Sequence, residues 1–268
     1  MIRISEFKKW QQWYGEQKIR IDEVQSEVEI LPNEGVILEG DGATQYCIAK
    51  CEYLVPIKDY QPCKIIPKNQ EQKLALHILK DETIPLKILS GVAGSGKTLL
   101  ACAHALHQLR RGTKTKIIIA KSMTPVGREI GYLKGGMEDK VRPWLGPFYD
   151  NFIQCGVPDY EIDEMMREGV LEITPITFIQ GRSIANAIII IDECQNLDMD
   201  VLKQIITRAA HGSELILLGD QTQVFEYRVK NRSIDILAEK GKTSELVAYI
   251  YLSRSLRSAI ADWAVDNL

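Results

Sequence analysis

The octapeptide GVAGSGKT at 91–98 stands between an apolar run, LKILS, and a helix-forming run, LLACAHALHQL. It fits GxxxxGK[ST] in full, and a strand before it with a helix after it is the context in which that pattern makes a phosphate-cradling loop. Glycines let successive backbone N–H groups turn inward around an anion, and the N-terminus of the following helix adds a favourable dipole. On this reading Gly91, Val92, Ala93, Gly94, Ser95, Gly96, Lys97, Thr98 and Leu99 form the nucleotide-binding segment, with Lys97 at the β/γ oxygens and Thr98 on Mg2+. A loop of this kind needs a sheet behind it. The spacing predicts strands at 86–90, 116–120, 171–174, 187–192, 214–220 and 247–252, with helices between them, the clearest being QEQKLALHILK, the helix starting at Lys97, and MDVLKQIITRAA. Short β-branched runs without alternation are what strands buried on both faces require, so the fold class is α/β with a mostly parallel sheet.

The first 64 residues have a different texture. A short helix is expected over 4–14, capped by Ser5 and presenting Phe7, Trp10 and Tyr14 on one face. Lys8, Lys9, Lys18 and Arg20 near Trp13 offer a base-stacking alternative to simple docking of that aromatic stripe, which is the favoured reading. From 26 to 57, SEVEIL, GVILEG, QYCIAKC and YLVPI read as short strands separated by PNEG and GDGA turns, and KDYQPCKIIPKN reads as the linker out of this β-rich unit. The expected division is 1–64 for the N-terminal helix, β unit and linker, and 65–268 for the nucleotide-binding domain.

With 268 residues and a net charge of −3, the chain lacks the broadly basic footprint of a nonspecific duplex binder. Any nucleic-acid contact is expected in a local groove. Six cysteines, two of them inside the loop helix and the acidic strand, read as reduced thiols, and Cys47, Cys51 and Cys63 lack the paired CxxC spacing of a zinc site. No apolar N-terminal segment or membrane-spanning run is seen, so a cytoplasmic protein is expected.

AIIIIDECQN carries the next piece of chemistry. Asp192 ends an apolar strand, where a carboxylate meets the magnesium's water shell. Glu193 beside it can orient and deprotonate an attacking water, which favours hydrolysis over switching. Gln223, in LLGDQTQ, follows another buried strand, and its spacing alone leaves a γ-phosphate contact and a plain polar strand end equally open. The Asn/Thr-Lys-x-Asp element of guanine recognition is absent, so ATP is the expected nucleotide.

PKNQEQKLAL, GVAGSGKT, TPVGREIGYLKGGMEDKVRPWLGPFYDNF, GRSIANAIIIIDECQN, TRAAHGSELILLGDQTQ and LSRSLRSAIADWA occur in the order found in the PhoH-like ATPases, which the chain resembles from about residue 65 to its end. That resemblance implies a RecA-like P-loop NTPase core similar to the first motor domain of superfamily 1 helicases. It further implies that Gln72 reads the adenine edge, that Gln223 senses the γ-phosphate and that Arg257 is an arginine finger. Lys121, Arg182, Lys203 and Arg208 fall in family motifs and become contacts to nucleic acid or a neighbouring subunit, with ordinary surface charge as the alternative. The chain departs from the pattern at Lys121-Ser122, Lys134, Cys194 and Phe225. The β unit resembles the region that joins a PIN ribonuclease domain to the ATPase in two-domain relatives. No PIN domain or nuclease activity is expected in these residues.

The expectation is therefore a Mg-dependent, helicase-like ATPase acting on single-stranded nucleic acid, with RNA favoured by the resemblance. One motor domain needs a second to close the cleft around a strand, so self-association into a ring, a hexamer in the expected form, follows, with Arg257 acting in cis or in trans. The alternatives are a P-loop kinase, in which Glu193 serves another nucleophile, and an ATP-dependent assembly module with low turnover.

Overall fold

A computed structural model describes residues 1–121, 137–220 and 233–256, with the side chains of one helix, 137–154, described from Gly146 on. Two sheets organise these residues. The N-terminal sheet contains β1 (Ile2–Ile4), β2 (Ile19–Arg20), β3 (Gly35–Gly40), β4 (Ala43–Lys50) and β5 (Tyr53–Pro56) in the order β1-β3-β4-β5-β2, with the helix α1 (Trp10–Glu16) packed on it. The second sheet contains β6 (Leu86–Gly91), β7 (Lys116–Lys121), β8 (Leu171–Pro175), β9 (Ala187–Asp192), β10 (Glu214–Gly219) and β11 (Val247–Leu252). Its order is β11-β6-β10-β9-β7-β8 and every neighbouring pair is parallel. Helices α2 (Gln70–Lys80), α3 (Lys97–Arg110), α4 (Met137–Gln154), α5 (Asp159–Arg167), α6 (Met199–Ile206) and α7 (Ser233–Gly241) connect or cover these strands. This is a RecA-like α/β core preceded by a small β-rich unit.

The parallel sheet explains the unalternating runs. Ile188, Ile190, Leu218 and Ile216 face the cluster built on α2 and α3, while Ile189, Ile191, Leu215 and Leu217 face the one built on α6 and α7. Every side chain of Ile188–Ile191 is fully buried. Each such side chain contributes about 1.5–3 kcal/mol of apolar burial, so a polar residue there would be strongly destabilising.

The N-terminal unit differs from its expected layout in three ways. Residues 2–4 are a strand and not the start of a Ser5-capped helix, because Ile2, Arg3 and Ile4 pair in parallel with Val36, Ile37 and Leu38. The helix begins only at Trp10, preceded by Lys9 with no side-chain cap. Second, SEVEIL at 26–31 joins no sheet, since β1 and β2 take the two outer positions beside the β3–β4–β5 meander. Third, Trp13 is 1% exposed and lies with Phe7 and Trp10 in the cluster under the sheet, whereas Tyr14 is the exposed aromatic. Trp13 therefore has no face to offer a base. The expected GDGA turn is confirmed: Asp41 and Gly42 both take positive φ between the paired Gly40 and Ala43, the two-residue hairpin geometry that matches strand twist.

The small sheet is bound into the larger core. Ile48 and Ile57 belong to the same buried cluster as Leu74 and Ile78 of α2. Asn33 donates to the carbonyls of Glu245 and Val247, each at 3.0 Å. Lys50 pairs with Asp81 at 2.7 Å.

A buried ionic cluster lies at the starts of β6 and β10. Glu214 Oε2 accepts from Lys87 Nζ at 2.6 Å and lies 3.2 Å from His104 Nε2, and Glu214 Oε1 is 3.0 Å from Lys114 Nζ. Tyr60, in the linker, donates its hydroxyl proton to His104 Nδ1 at 3.1 Å, which leaves Nε2–H to donate to Glu214. Burial holds His104 neutral, pushing it down to about 4. Burial alone would raise the Glu214 carboxyl, but His104 and Lys87 outweigh it and hold it well below the ordinary value.

Two outcomes follow. Glu214→Gln leaves Lys87 buried without its counter-charge and should destabilise by about 3–5 kcal/mol, read as a shift in urea unfolding. Stability should also decline as pH falls. Between 6.5 and 4 the unfolded histidine takes up protons that buried His104 refuses; below 4.5 the contribution of ionised Glu214, complete above that value, is progressively lost. In thermal melts across this range, His104→Gln should flatten the first part of the decline and weaken the second, since His104 is one of the groups that hold Glu214 down.

Candidate nucleotide-binding and catalytic site

The functional side chains gather at the carboxyl ends of the parallel strands, where loops leave the sheet and ligands bind in folds of this class. Strand β6 ends in Gly91, the loop turns through Val92 to Gly96, and α3 begins at Lys97. Gly91, Gly94 and Gly96 all take positive φ. At Gly96 glycine is required twice over: φ is +91°, and a Cβ would lie 2.7 Å from Gln72 Nε2. Lys97 Nζ donates to the carbonyls of Gly91 (2.6 Å) and Val92 (2.9 Å), so its ammonium lies over the mouth of the loop. Gly94, Gly96, Lys97, Thr98 and Leu99 line a cleft of about 730 Å³, together with Gln72, Lys64, Lys68, Gln154 and Leu256. Ser95 is buried, and Val92 and Ala93 form the turn between it and the strand.

Gln72 is 4% exposed and bonded at both ends of its amide: Oε1 accepts from Lys68 N at 2.8 Å, and Nε2 donates to Ser95 O at 2.9 Å. Its own N–H is capped by Asn69 at the start of α2. The side chain is thus braced against the phosphate loop.

Strand β9 carries Asp192 to the same end of the sheet, two strands from β6. Asp192 Oδ1 accepts from Glu193 N at 3.0 Å. Burial first, and the neighbouring Glu193 second, push the Asp192 carboxyl up, while Lys121 and Lys97 pull it back. Glu193 is left-handed, at φ 57° and ψ 36°, an uncommon conformation for a residue with a Cβ, costing on the order of 1–3 kcal/mol. Its carboxylate accepts from Gln195 Nε2 at 2.7 Å and lies 3.7 Å from Lys121 Nζ.

These groups fit a magnesium ion arriving with a nucleotide. Thr98 and Asp192 are hard oxygen donors, and a divalent cation relieves the raised Asp192 carboxyl. Among the described residues no set of three or more acidic, histidine or cysteine side chains would hold an ion alone. Magnesium needs none, since it is held by one or two protein oxygens plus phosphates and water.

The four motif cations separate. Lys121 belongs to the site through Glu193. Arg182 clamps Glu172, with Lys116 2.8 Å from the same carboxylate, near the starts of β7 and β8 and away from Asp192. This pairing, Arg182 foremost, pulls Glu172 down to about 2. Arg208 bonds locally to Gln204 O and Thr207, and Lys203 is exposed on α6. Gln223, Arg257, Ser122, Lys134 and Phe225 lie outside the described residues, as does the whole PVGREIGYLKG segment. Leu256, just before Arg257, donates its N–H to Gly94 O at 3.1 Å, and Ser253 bonds Glu71 through both N–H and hydroxyl at 2.7 Å. Glu71 and Gln195 are site residues that sequence reasoning missed. Gln195 was visible inside DECQN, and only its partners give it meaning.

The family model for PhoH-like proteins matches residues 64–268. The chain belongs to the PhoH-like family. Among curated PhoH-like relatives it is 33% identical to Protein PhoH2 of Bacillus subtilis, over 96% of this chain and 61% of that protein. It is 36% identical to Protein PhoH2 of Mycolicibacterium smegmatis, over 75% of this chain and 46% of that one. This PhoH-like chain thus spans about half to three fifths of the length of these relatives. Among solved structures, the Pif1 helicase of Candida albicans aligns over 75% of this chain and 43% of that one, at 18% identity and a TM-score of 0.38. Among the described residues of this PhoH-like P-loop NTPase, no helix is long and apolar enough to cross a membrane.

Asp192→Asn removes a buried charge whose carboxyl the fold pushes up, a group that lowers stability once ionised near neutral pH. In metal-free buffer the variant should melt at a higher temperature than the parent. If Asp192 helps hold the ion, Mg2+ with nucleotide should narrow or reverse that order, because the parent then gains more from the ion.

Proposed function

We propose that this chain is a Mg-dependent ATPase, helicase-like, that couples ATP hydrolysis to translocation along, or remodelling of, single-stranded nucleic acid, with RNA favoured. The observation that carries the hydrolytic part is the convergence of the phosphate loop and the Asp192–Glu193 pair at one end of one sheet. In this reading the backbone N–H groups of 94–98 and Lys97 bind the triphosphate, and Lys97 exchanges the Gly91 and Val92 carbonyls for phosphate oxygens. Thr98 and Asp192 hold magnesium, which when bound neutralises charge on the β- and γ-phosphates. Glu193 orients water and accepts its proton. Gln72 supports the loop and meets the adenine, Gln223 senses the γ-phosphate, and Arg257 supplies positive charge to the transition state in cis or in trans.

The cleft is open, and one RecA-like unit offers only one wall to a strand. A second copy supplies the other wall, so the working form is a homo-oligomeric ring, a hexamer in the simplest case, in the cytoplasm. The division near residue 64 separates the β unit, as an appended module, from the ATPase. Lys121 serves the catalytic carboxylate, and Arg182, Lys203 and Arg208 remain contacts to a strand or a neighbouring subunit.

The test is phosphate release by the purified protein with and without single-stranded RNA or DNA. Glu193→Gln should lower kcat about 10²–10⁴-fold while leaving nucleotide affinity intact. Lys97→Ala should lose affinity as well. No turnover with any strand sinks the motor reading, and stimulation by a small acceptor molecule points to a kinase instead.

A further inference from the structure

Gln195 makes two bonds that join separate parts of the site. Its Nε2 donates to Glu193 Oε2 at 2.7 Å, and its Oε1 accepts from Asp220 N at 3.1 Å, at the end of β10. The side chain is 4% exposed. The orientation of the amide is unambiguous, because a backbone N–H can only donate; the oxygen must face Asp220, and the nitrogen is left facing the carboxylate.

We propose that Gln195 is the positioning residue for Glu193: it sets the direction of that carboxylate and ties it to the end of β10, three residues before Gln223. The proposal rests on the reading of Glu193 as the base for hydrolysis.

The surroundings leave no substitute. Gln195 sits in a tight turn in which Asn196 N bonds Glu193 O and Leu197 N bonds Cys194 O, each at 3.1 Å, so its backbone cannot follow a shorter side chain. Asparagine is one methylene short of spanning both partners. Glutamate in its ionised form accepts from Asp220 but faces Glu193 with like charge. Methionine keeps the volume and loses both bonds. Without Gln195, the partner left to the Glu193 carboxylate among the described residues is Lys121, 3.7 Å from its other oxygen, and the carboxylate is drawn toward that ammonium. Because the bridge ends on the strand that leads to Gln223, a shift at that strand end reaches the base through one buried amide.

The experiment compares Gln195→Met and Gln195→Glu in ATP hydrolysis, in titration with a fluorescent ATP analogue and in amide hydrogen exchange. Gln195→Met should lower kcat at least tenfold while KM and the affinity for the analogue stay within twofold. In a Glu193→Gln background the same change should cost less than twofold, because the two residues act as one unit. Gln195→Glu should lower kcat further than Gln195→Met. Exchange at the Asp220 amide should accelerate at least tenfold in Gln195→Met. An unchanged kcat, or an equal loss in both backgrounds, overturns the inference. If the parent protein shows no turnover, the hydrolase reading fails on its own; the Asp220 amide still decides the bridge, and unchanged exchange there overturns it. Should Gln195→Met not fold, Gln195→Glu carries the same comparisons, except that its Asp220 amide stays protected.

Discussion

The Glu214 carboxylate is the point on which the core turns. It joins Lys87 at the start of the strand that becomes the phosphate loop, His104 midway along the helix leaving that loop, and Lys114 on the connection to β7. Through His104 it reaches Tyr60 in the linker from the small β unit. Parallel strands with both faces covered need little specification of their relative height, since isoleucine packs comparably one step up or down. A buried charge with three fixed partners does specify it. The cluster sits at the opposite end of β6 and β10 from Gly91 and Asp220, so it fixes the register of the two strands whose far ends carry the site.

Much of the larger sheet was legible because its signal is physical and repeated. Strands buried on both faces must be apolar throughout, and β9 and β11 fall where the sequence places them. The phosphate loop was legible for a similar reason: its glycines answer backbone demands, as Gly96 shows against Gln72. The N-terminal unit was less so. Residues 2–4 and 19–20 are too short to show a period, and they become strands only because β3 and β5 offer open edges. Periodicity reads a segment's own face and says nothing of an edge formed some thirty residues away.

Within the site, the residue types were visible and the wiring was not. Asp192 and Glu193 announce themselves after a run of isoleucines, but adjacent carboxylates have no intrinsic direction. The direction comes from Gln195 and Lys121, and the second of these had suggested a surface contact on its motif alone. Gln72 shows the converse. The resemblance marks it for the adenine, while its bonds to Lys68 and Ser95 make it a brace for the loop. The two uses are compatible, since the brace engages only one hydrogen and one lone pair of the amide.

The two ends of the sheet thus differ in kind. At the starts of the strands, charges are buried, mutually satisfied and costly to disturb. At their carboxyl ends, bonds are exchangeable: Lys97 rests on loop carbonyls that phosphate oxygens can replace, and Leu256 holds Gly94 by one N–H. Glu193, at the carboxyl end of β9, sits in a strained backbone conformation. Exchanging bonds of similar strength costs little net free energy. A ligand entering the loop can therefore exchange the bonds at Gly91, Val92 and Gly94 without touching the core beneath them. A rigid floor thus lies under a surface whose bonds can be exchanged, and one sheet carries both.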